Sequence, residues 1–276
     1  MTSPLRHEEI RLIATDLDGT LLRDDKTVSP RTAQAIRLAH QAGLRVVAAT
    51  GRYLTGLPPI LTSVGIDYAV TSNGAESYQL GSREPLFEHP IQTSTVAAIL
   101  EYLAEHLPQA RSEVAIGGGW THFAQPGYTG LLTDIERRNF PIDYVELTDL
   151  GAIGRPLVKL AVRHPTLSPE ELRHALLSSG LTGFHPTTSG AFILEISGAG
   201  VTKASGVARL SEFLGLEPQQ VLAIGDARND VEMLQWAGVG VAMGNAVPEV
   251  IAIADHTTAT NEEDGLALTI ETLLGA

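Results

Sequence analysis

The sequence predicts an α/β fold: a Rossmann-like, doubly wound and mostly parallel sheet with an inserted α/β (α+β) domain. Apolar segments of strand length alternate with helical segments in the first and last parts of the 276-residue chain, a pattern typical of parallel sheets covered by helices. The middle of the chain lacks the acidic and hydroxyl residues that follow strands elsewhere. We therefore predict that the middle is a separate, inserted unit.

The first part of the chain predicts three strands and a helix. The strands cover 10–15, 44–49 and 67–71, which are apolar runs that stop at a polar residue. The helix begins at Ser29-Pro30, because serine caps a helix N-terminus and proline is tolerated in the first turn. It ends at Gly43.

The last part of the chain repeats this alternation. A helix begins at Lys203, where Thr202 is a suitable N-cap, and continues to about 214, just before Gly215. The other predicted elements are a strand at 221–224, a helix at 230–237, a strand at 239–243 and a final helix at 262–274.

The middle of the chain predicts a unit of its own. It contains a helix at 95–106, a hairpin around 117–119, a strand at 157–162, and a helix that opens with Ser168 and Glu171 at capping-box spacing. We therefore predict a host domain at 1–84 and 187–276, an inserted cap domain at 85–186, and connecting strands near 82–86 and 187–192.

Composition excludes several classes of function. The formal charge of −13 disfavours nucleic-acid polymers and anionic membranes as partners. The absence of cysteine excludes disulfides and thiolate metal sites. No apolar run is long enough to span a membrane, and the first ten residues contain no signal-peptide core. We therefore predict a cytoplasmic protein, either a monomer or a homodimer.

Two carboxylates follow the first predicted strand. Asp16 and Asp18 are two positions apart, so an extended backbone points both side chains the same way. The carboxyl ends of strands are where open parallel sheets bind ligands. A calcium loop or a plain turn can have the same Asp-x-Asp-Gly pattern. The preceding strand, and the lack of a glutamate at EF-hand spacing, favour a ligand site.

A hydroxyl and an amine add to these acids. Thr50-Gly51 follows the second strand, where a hydroxyl and a glycine N–H can hold phosphate oxygens, although an ordinary turn has the same composition. Lys203 lies in the first turn of its helix, against the helix dipole. This placement indicates that the ammonium neutralises a bound anion, while a surface lysine is the alternative.

A second acidic group follows the strand at 221–224. Asp226 ends that strand, and Asp230 comes one helical turn later, with Asn229 between them. Neighbouring carboxylates repel unless a cation lies among them, and oxygen ligands suit Mg²⁺ better than zinc. A solvated, aspartate-rich helix start would explain Asp230 equally well, but it explains Asp226 less well.

Together these segments resemble the haloacid dehalogenase superfamily of phosphohydrolases. Within that superfamily they are most similar to the Cof-type group (subfamily IIB), in which a C2 cap is inserted after the second motif. The likeness covers the whole host domain and departs from the usual pattern at Ala227-Arg228. The matching segments are 16–22, 49–52, 72–75, 200–203, 225–230, 242–246 and 261–265.

The resemblance implies a role for each site residue. Asp16 would attack phosphorus and become an aspartyl phosphate, and Asp18 would act as general acid and then as general base. Mg²⁺ would be held by Asp16, the main-chain carbonyl of Asp18 and Asp226, with Asp230 in direct or indirect support. The residues that would hold the phosphoryl group are Thr50, Gly51, Lys203 and Asn229.

The implied function is a Mg²⁺-dependent phosphatase for a small phosphorylated metabolite, such as a sugar phosphate or a nucleotide. The alternative is a phosphoryl-accepting or phosphate-binding regulatory protein without efficient turnover. Signalling receiver domains use similar residues, but they are about half this length and need no second acid. The cap would set selectivity, and its residues that could face the site, or could equally be surface or packing residues, are Glu113, Trp120, His122, Arg137 and Arg138.

Overall fold

The chain folds around two β-sheets. The computed structural model describes residues 9–139 and 142–275. The strands are β1 (Leu12–Thr15), β2 (Arg45–Ala49), β3 (Tyr68–Thr71), β4 (Glu76–Gln79), β5 (Phe87–Glu88), β6 (Arg111–Ile116), β7 (Thr121–Ala124), β8 (Tyr144–Glu146), β9 (Lys159–Arg163), β10 (Phe184–Thr187), β11 (Leu194–Gly198), β12 (Val221–Gly225), β13 (Val239–Ala242) and β14 (His256–Thr257).

The first sheet is doubly wound about β1. Its order is β14-β13-β12-β1-β2-β3-β4-β5, with parallel pairing from β14 to β3 and antiparallel pairing for β4 and β5. The chain leaves β1 towards β2 and later returns on the other side at β12. This reversal of direction creates a switch point at the carboxyl end of β1, where such sheets bind ligands.

Nine helical segments of the described chain cover the sheets. Predicted caps are present at three of them: Ser29, Ser168 and Thr202 each accept a hydrogen bond from a backbone N–H of the first turn. The helices are α1 (Pro30–Gln41), α2 (Ile60–Val64), α3 (Thr93–His106), α4 (Asp134–Asn139), α5 (Pro169–Leu177), α6 (Lys203–Phe213), α7 (Val231–Trp236), α8 (Pro248–Ile253) and α9 (Gly265–Leu274).

The second sheet has the order β10-β11-β9-β6-β7-β8. Its pairs are antiparallel except for β7 and β8. One face packs against α3 and α5 and buries an apolar cluster separate from that of the first sheet. The predicted hairpin around 117–119 joins β6 to β7. The predicted α/β class, with a second α/β unit inserted in a Rossmann-like sheet, is confirmed.

The chain passes from the first sheet to the second, and back again, at points that differ from the predicted domain boundaries. On the way out, β5 still belongs to the first sheet, whereas a connecting strand was expected at 82–86. On the return, β10 and β11 pair within the second sheet, although the host domain was expected to resume at 187. The physical reason is packing, because Leu194 and Ile196 of β11 lie in the second apolar cluster. The return therefore comes after Gly198.

Two helix starts also differ by a few residues. The helix expected at 230–237 is α7, which follows a short 3₁₀ turn at Arg228–Asp230. The final helix, expected from 262, begins at Gly265 because Asp264 has a left-handed backbone conformation (φ 60°). Such a conformation cannot continue a right-handed helix.

Gly74, in the loop after β3, packs against the start of α6, and we expect its replacement to destabilise the protein strongly. A β-carbon at Gly74 would lie 1.9 Å from the Thr202 carbonyl oxygen, at a φ of +101°. Gly74→Ala should therefore lower the free energy of unfolding by at least about 3 kcal/mol. Thermal and urea unfolding measure the loss.

Gly81→Ala is the matched control for this prediction. Gly81 has a similar φ of +95°, but no atom lies within 4 Å of its added β-carbon. Only the backbone strain remains, so the expected loss is about 1–2 kcal/mol. Equal losses for the two variants would show that the contact with Thr202 contributes nothing.

Candidate active site

Four loops meet at the carboxyl edge of the first sheet. Asp16 follows β1, Thr50 follows β2, Asn73 lies in the loop after β3, and Asp226 follows β12. Because β12, β1, β2 and β3 are neighbouring parallel strands, their carboxyl ends lie side by side. The separate motifs of the sequence are thereby brought together at one place.

Lys203 lies at the centre of this place. Its ammonium nitrogen is 2.5 Å from Asp16 Oδ1 and 2.7 Å from Asp230 Oδ1, and its side chain is 1 % exposed. Oxygen atoms of Asp16, Asp226 and Asp230 lie within 4.8 Å of one another. The structure therefore gathers the three predicted acids around the predicted lysine.

The charges at this place perturb one another strongly. Burial raises the pKa of Asp16 well above its ordinary value, Lys203 opposes this rise, and Asp230 and Asp226 add to it. Burial and the charge of Asp230 raise the pKa of Asp226 to about 6. Burial would lower the pKa of Lys203, but Asp16 and Asp230 outweigh it and raise that pKa above its usual value. One ammonium thus faces the buried carboxyl groups of Asp16 and Asp230 and the partly buried carboxyl group of Asp226.

Local contacts fix the two acids that follow β12. Asp230 Oδ2 accepts hydrogen bonds from the backbone N–H groups of Asp226 and Ala227 at 3.1 and 3.0 Å. The hydroxyl of Thr20 donates to Asp226 Oδ1 at 2.9 Å. Both carboxylate oxygens of Asp230 are therefore already bonded, one to Lys203 and the other to the backbone of its own turn. Asp226 accepts the bond from Thr20 at one oxygen and is better able to bind a ligand.

The donor set fits a divalent cation. Three carboxylates converge, and hard oxygen ligands of this kind suit Mg²⁺. The raised pKa values of Asp16 and Asp226 report burial first, and then repulsion by neighbouring carboxylates, Asp230 above all. A cation among the three groups would relieve that repulsion. The cluster brings together the side chains of Asp16, Asp226 and Asp230; for Asp18 the expected ligand is the main-chain carbonyl and not the side chain.

The loops next to the acid cluster contain Thr50, Gly51 and Asn229. Thr50 Oγ1 accepts a hydrogen bond from the N–H of Arg52 at 3.1 Å, so its own proton is available for another acceptor. Asn229 Nδ2 donates to Asn73 Oδ1 at 2.9 Å, while the buried Asn229 Oδ1 has no partner among the described residues. A buried polar atom without a partner is typical of a ligand site.

Asp18 is held by cations rather than by the acid cluster. Arg52 contacts both of its carboxylate oxygens at 2.6 Å, and Lys26 Nζ lies 2.8 Å from Oδ1. Burial would raise the pKa of Asp18, but the hydrogen bond and the charge of Arg52 outweigh it and lower that pKa to about 2. Arg52 belongs to the matching segment 49–52, but sequence reasoning assigned it no role.

A buried ion pair of the second sheet reaches the same loop. Lys159 Nζ donates to the Gly51 carbonyl at 2.6 Å and to Glu195 Oε1 at 2.8 Å. Sequence reasoning missed both residues. The available signal was a lone lysine and a lone glutamate within apolar runs, because such charges are rarely buried without a partner or a function.

The cap residues considered from the sequence fall into two groups. Glu113 and His122 are each 4 % exposed and contact one another at 2.6 Å. Trp120 is 53 % exposed, and Arg137 and Arg138 lie on the exposed surface of α4. Only the first two therefore lie within the folded interior.

Arg228, where the sequence departs from the family pattern, lies on the outside of the site. It forms ion pairs with Glu170 of α5 at 2.9 Å and Glu249 of α8 at 2.7 Å. The guanidinium is thus neutralised by two glutamates, and one of these contacts joins the two sheets' domains.

Comparison with known proteins assigns the family. The sequence profile of the haloacid dehalogenase-like hydrolases matches residues 13–270. The chain belongs to this family. The resemblance inferred from the motifs is confirmed, and with it the assignment as an enzyme, a hydrolase of the phosphatase type. In the part of the chain that the structure describes, no helix has the length and apolarity needed to cross a membrane.

Individual members of the family are similar over almost the whole chain. The 5-amino-6-(5-phospho-D-ribitylamino)uracil phosphatase YcsE of Bacillus subtilis is 32 % identical over 264 residues, or 95 % of each chain. The HMP-PP phosphatase of Cronobacter sakazakii is 31 % identical and covers 89 % of this chain and 88 % of its own. The phosphatase BT1666 of Bacteroides thetaiotaomicron shares the fold, with a TM-score of 0.80, 24 % identity, and coverage of 98 % of this chain and 97 % of its own.

Proposed function

We propose that this haloacid dehalogenase-like hydrolase is a Mg²⁺-dependent phosphatase that works through a phosphorylated Asp16. The observation that carries the proposal is the buried contact of Lys203 with Asp16 and Asp230, with Asp226 beside them. Nucleophile, cation and acidic ligands then surround one position. Phosphoryl transfer depends on this combination of alignment and charge stabilisation.

In the first half-reaction a carboxylate oxygen of Asp16 attacks phosphorus. The bond between phosphorus and the ester oxygen breaks, and that oxygen takes a proton from Asp18 and leaves as an alcohol. Since Asp18 has a pKa of about 2 in this structure, it carries no proton near neutral pH. The ion pair with Arg52 therefore has to open before Asp18 acts as the acid.

In the second half-reaction water releases the phosphate. Asp18, now a carboxylate, takes a proton from the water, whose oxygen attacks phosphorus as the bond to Asp16 breaks. The products are inorganic phosphate and free Asp16, with Asp18 protonated for the next cycle. General acid–base help of this kind accelerates a reaction by roughly 10²–10⁴-fold.

The remaining site residues hold the phosphoryl oxygens. The free proton of the Thr50 hydroxyl, the N–H of Gly51 and the second N–H of Asn229 Nδ2, the first being donated to Asn73, supply hydrogen bonds, and Lys203 supplies charge. Mg²⁺, held by Asp16, the main-chain carbonyl of Asp18 and Asp226 with support from Asp230, would neutralise the charge that develops on the phosphoryl group.

The substrate class follows from size and relatives. The second sheet lies beside the site, where Lys159 donates to the Gly51 carbonyl, so a small phosphorylated metabolite fits better than a polymer. The relatives named for phosphoribityl-uracil and HMP-PP hydrolysis support this class, which includes sugar phosphates and nucleotides. A purely phosphate-accepting regulator would need no second acid at the position of Asp18. Cytoplasmic location and a monomer or homodimer remain predictions from the sequence.

Phosphate release from 4-nitrophenyl phosphate and a panel of phosphorylated metabolites tests the function. We expect turnover with Mg²⁺, loss of turnover in excess chelator, and recovery when Mg²⁺ is restored. Full turnover in excess chelator would contradict the metal site. If no compound of the panel is hydrolysed, the proposed phosphatase activity is contradicted.

Thermal unfolding tests the metal site without an activity assay. The pKa of Asp226, at about 6, lies above its unfolded value of about 4, so this group's contribution to stability is lost as the pH rises between those values. Mg²⁺ should restore it near pH 7 and raise the melting temperature there. Near pH 4 it should have little effect, because a protonated carboxyl binds metal poorly. An equal shift at both pH values would contradict the assignment.

A further inference from the structure

One face of the second sheet is polar although it is buried. Side chains alternate along its strands, and Val114, Leu160 and Ile196 point into the apolar cluster with α3 and α5. The opposite face lies against Tyr53, whose ring contacts His122 and Lys159, and against α4, whose Glu136 contacts Arg163. The polar side chains of this opposite face include Glu113, His122, Tyr144, Lys159, Arg163, Glu195 and Ser197.

The register of the strands arranges these side chains around small residues. Glu113 and Glu195 both pair with Ala161, so they stand two strand spacings apart, roughly 10 Å. Ala115 likewise pairs with His122 on one side and Lys159 on the other. Alanines thus form a floor between polar groups, with a width suited to one sugar or one heterocyclic ring.

This face begins at the loop that would hold the phosphate. Lys159 donates to the Gly51 carbonyl, and a β-carbon at Gly51 would lie 2.9 Å from Glu195 Oε2. Tyr53, two residues further, places its hydroxyl 3.4 Å from Glu113 Oε1 and its ring edge-to-face with His122 at 5.1 Å. The part of a substrate that projects from its phosphoryl group towards the second sheet meets these residues.

The two buried cations of the face are already neutralised. Lys159 is paired with Glu195 at 2.8 Å, and Arg163 is paired with Glu136 at 2.5 Å. Glu113 contacts His122 Nδ1 at 2.6 Å. Because Glu195 is neutralised by Lys159 in turn, a second anionic group on the substrate would meet the carboxylate of Glu113, whereas hydroxyl and N–H groups would find an acceptor there.

An unused hydroxyl on the same face also points to a ligand. Ser197 follows Glu195 by two positions on β11 and is 1 % exposed. Its Oγ has no hydrogen-bond partner among the described residues. Leaving a buried hydroxyl unpaired is unfavourable, and a bound polar group would supply the missing partner.

We propose that Glu113 and His122 recognise the leaving group. They accept and orient an uncharged group rich in hydroxyl or ring N–H donors, and the carboxylate of Glu113 excludes a second phosphate. This inference rests on the proposed phosphatase function. Because both side chains are covered in this structure, Tyr53 has to move aside when the leaving group binds.

Fructose 6-phosphate and fructose 1,6-bisphosphate test the proposal, with 4-nitrophenyl phosphate as the reference. We expect kcat/KM to be at least about tenfold higher for the monophosphate than for the bisphosphate, which corresponds to about 1.4 kcal/mol. Glu113→Gln should lower this ratio of kcat/KM between the monophosphate and the bisphosphate. It should also lower kcat/KM for fructose 6-phosphate by about tenfold more than for 4-nitrophenyl phosphate, mainly through KM.

Two further variants separate recognition from scaffold effects. Glu113→Asp keeps the charge but shortens the side chain, so it should retain the exclusion of the bisphosphate while losing affinity for the monophosphate. Glu101→Gln removes a carboxylate on the exposed surface of α3 and should change none of the ratios. Melting temperatures show whether each variant is folded.

The outcomes distinguish this proposal from the function on which it rests. If 4-nitrophenyl phosphate is not hydrolysed in the presence of Mg²⁺, the proposed phosphatase function itself is contradicted. Hydrolysis of that ester without a preference for the monophosphate, including no turnover of either sugar phosphate, would overturn the recognition role. Equal losses on all three substrates in folded Glu113→Gln would also overturn it, because they indicate a structural role.

Discussion

Asp16→Asn is expected to abolish phosphate release. An amide oxygen is a poor nucleophile towards phosphorus, so kcat should fall by at least about 10³-fold, as for other enzymes that lose their nucleophile. The amide is nearly isosteric and its oxygen can still accept from Lys203, which contacts Asp16 at 2.5 Å. Folding should therefore be retained. Turnover of 4-nitrophenyl phosphate with Mg²⁺ measures the loss.

Asp25→Asn provides the control for this prediction. Asp25 is exposed in the turn after β1, and its side chain accepts hydrogen bonds from the N–H and hydroxyl of Thr27, so its replacement should leave turnover unchanged. Intact-mass analysis of quenched reactions adds a direct test, since the native enzyme should gain one phosphoryl group and Asp16→Asn should gain none. Appreciable activity in pure Asp16→Asn protein would refute the assignment of the nucleophile.

Lys203→Met is expected to impair both catalysis and stability. The change leaves buried carboxylates without their ammonium partner, and breaking a buried ion pair in this way costs about 3–5 kcal/mol. Catalysis should fall by at least about 10²-fold, because charge stabilisation of the phosphoryl group is lost. Urea unfolding without metal and steady-state kinetics with Mg²⁺ measure the two effects.

The site predicts how this loss depends on metal. Mg²⁺ should recover much of the stability of Lys203→Met, because a divalent cation replaces the missing positive charge among the three acids. Lys26→Met is the surface comparison, since Lys26 is 41 % exposed in its pair with Asp18 and such pairs contribute at most about 1 kcal/mol. If both lysine variants lose equal stability, the buried cluster does not have the strength assigned to it.

The sequence predicted the acid cluster because of a general property of parallel sheets. Each strand that ends at the same edge delivers its next residues to one place. Asp16, Thr50 and Asp226 could therefore be expected together from local patterns alone. Lys203 was harder to predict, but its position in the first turn of a helix, against the dipole, indicated an anionic partner.

The partner of Asp18 could not be predicted in this way. Arg52 and Lys26 approach Asp18 from two different loops, and neither loop has a regular backbone pattern that fixes its direction. The same limit applied to Lys159 and Glu195, whose pairing depends on the register of β9 and β11. Register between strands far apart in sequence is set by packing, which a single strand does not specify.

By itself, the sequence determined the α/β class, the alternation of strands and helices along the host segments, the helix caps and the residues at the strand ends. These features depend on local periodicity and on side-chain hydrogen bonds within a few residues. Only the tertiary structure decided where the insert ends, which cations hold Asp18, and that Glu113 and His122 lie beside Tyr53. These depend on contacts between distant segments, and the free energy of such contacts arises only when both partners are folded against each other.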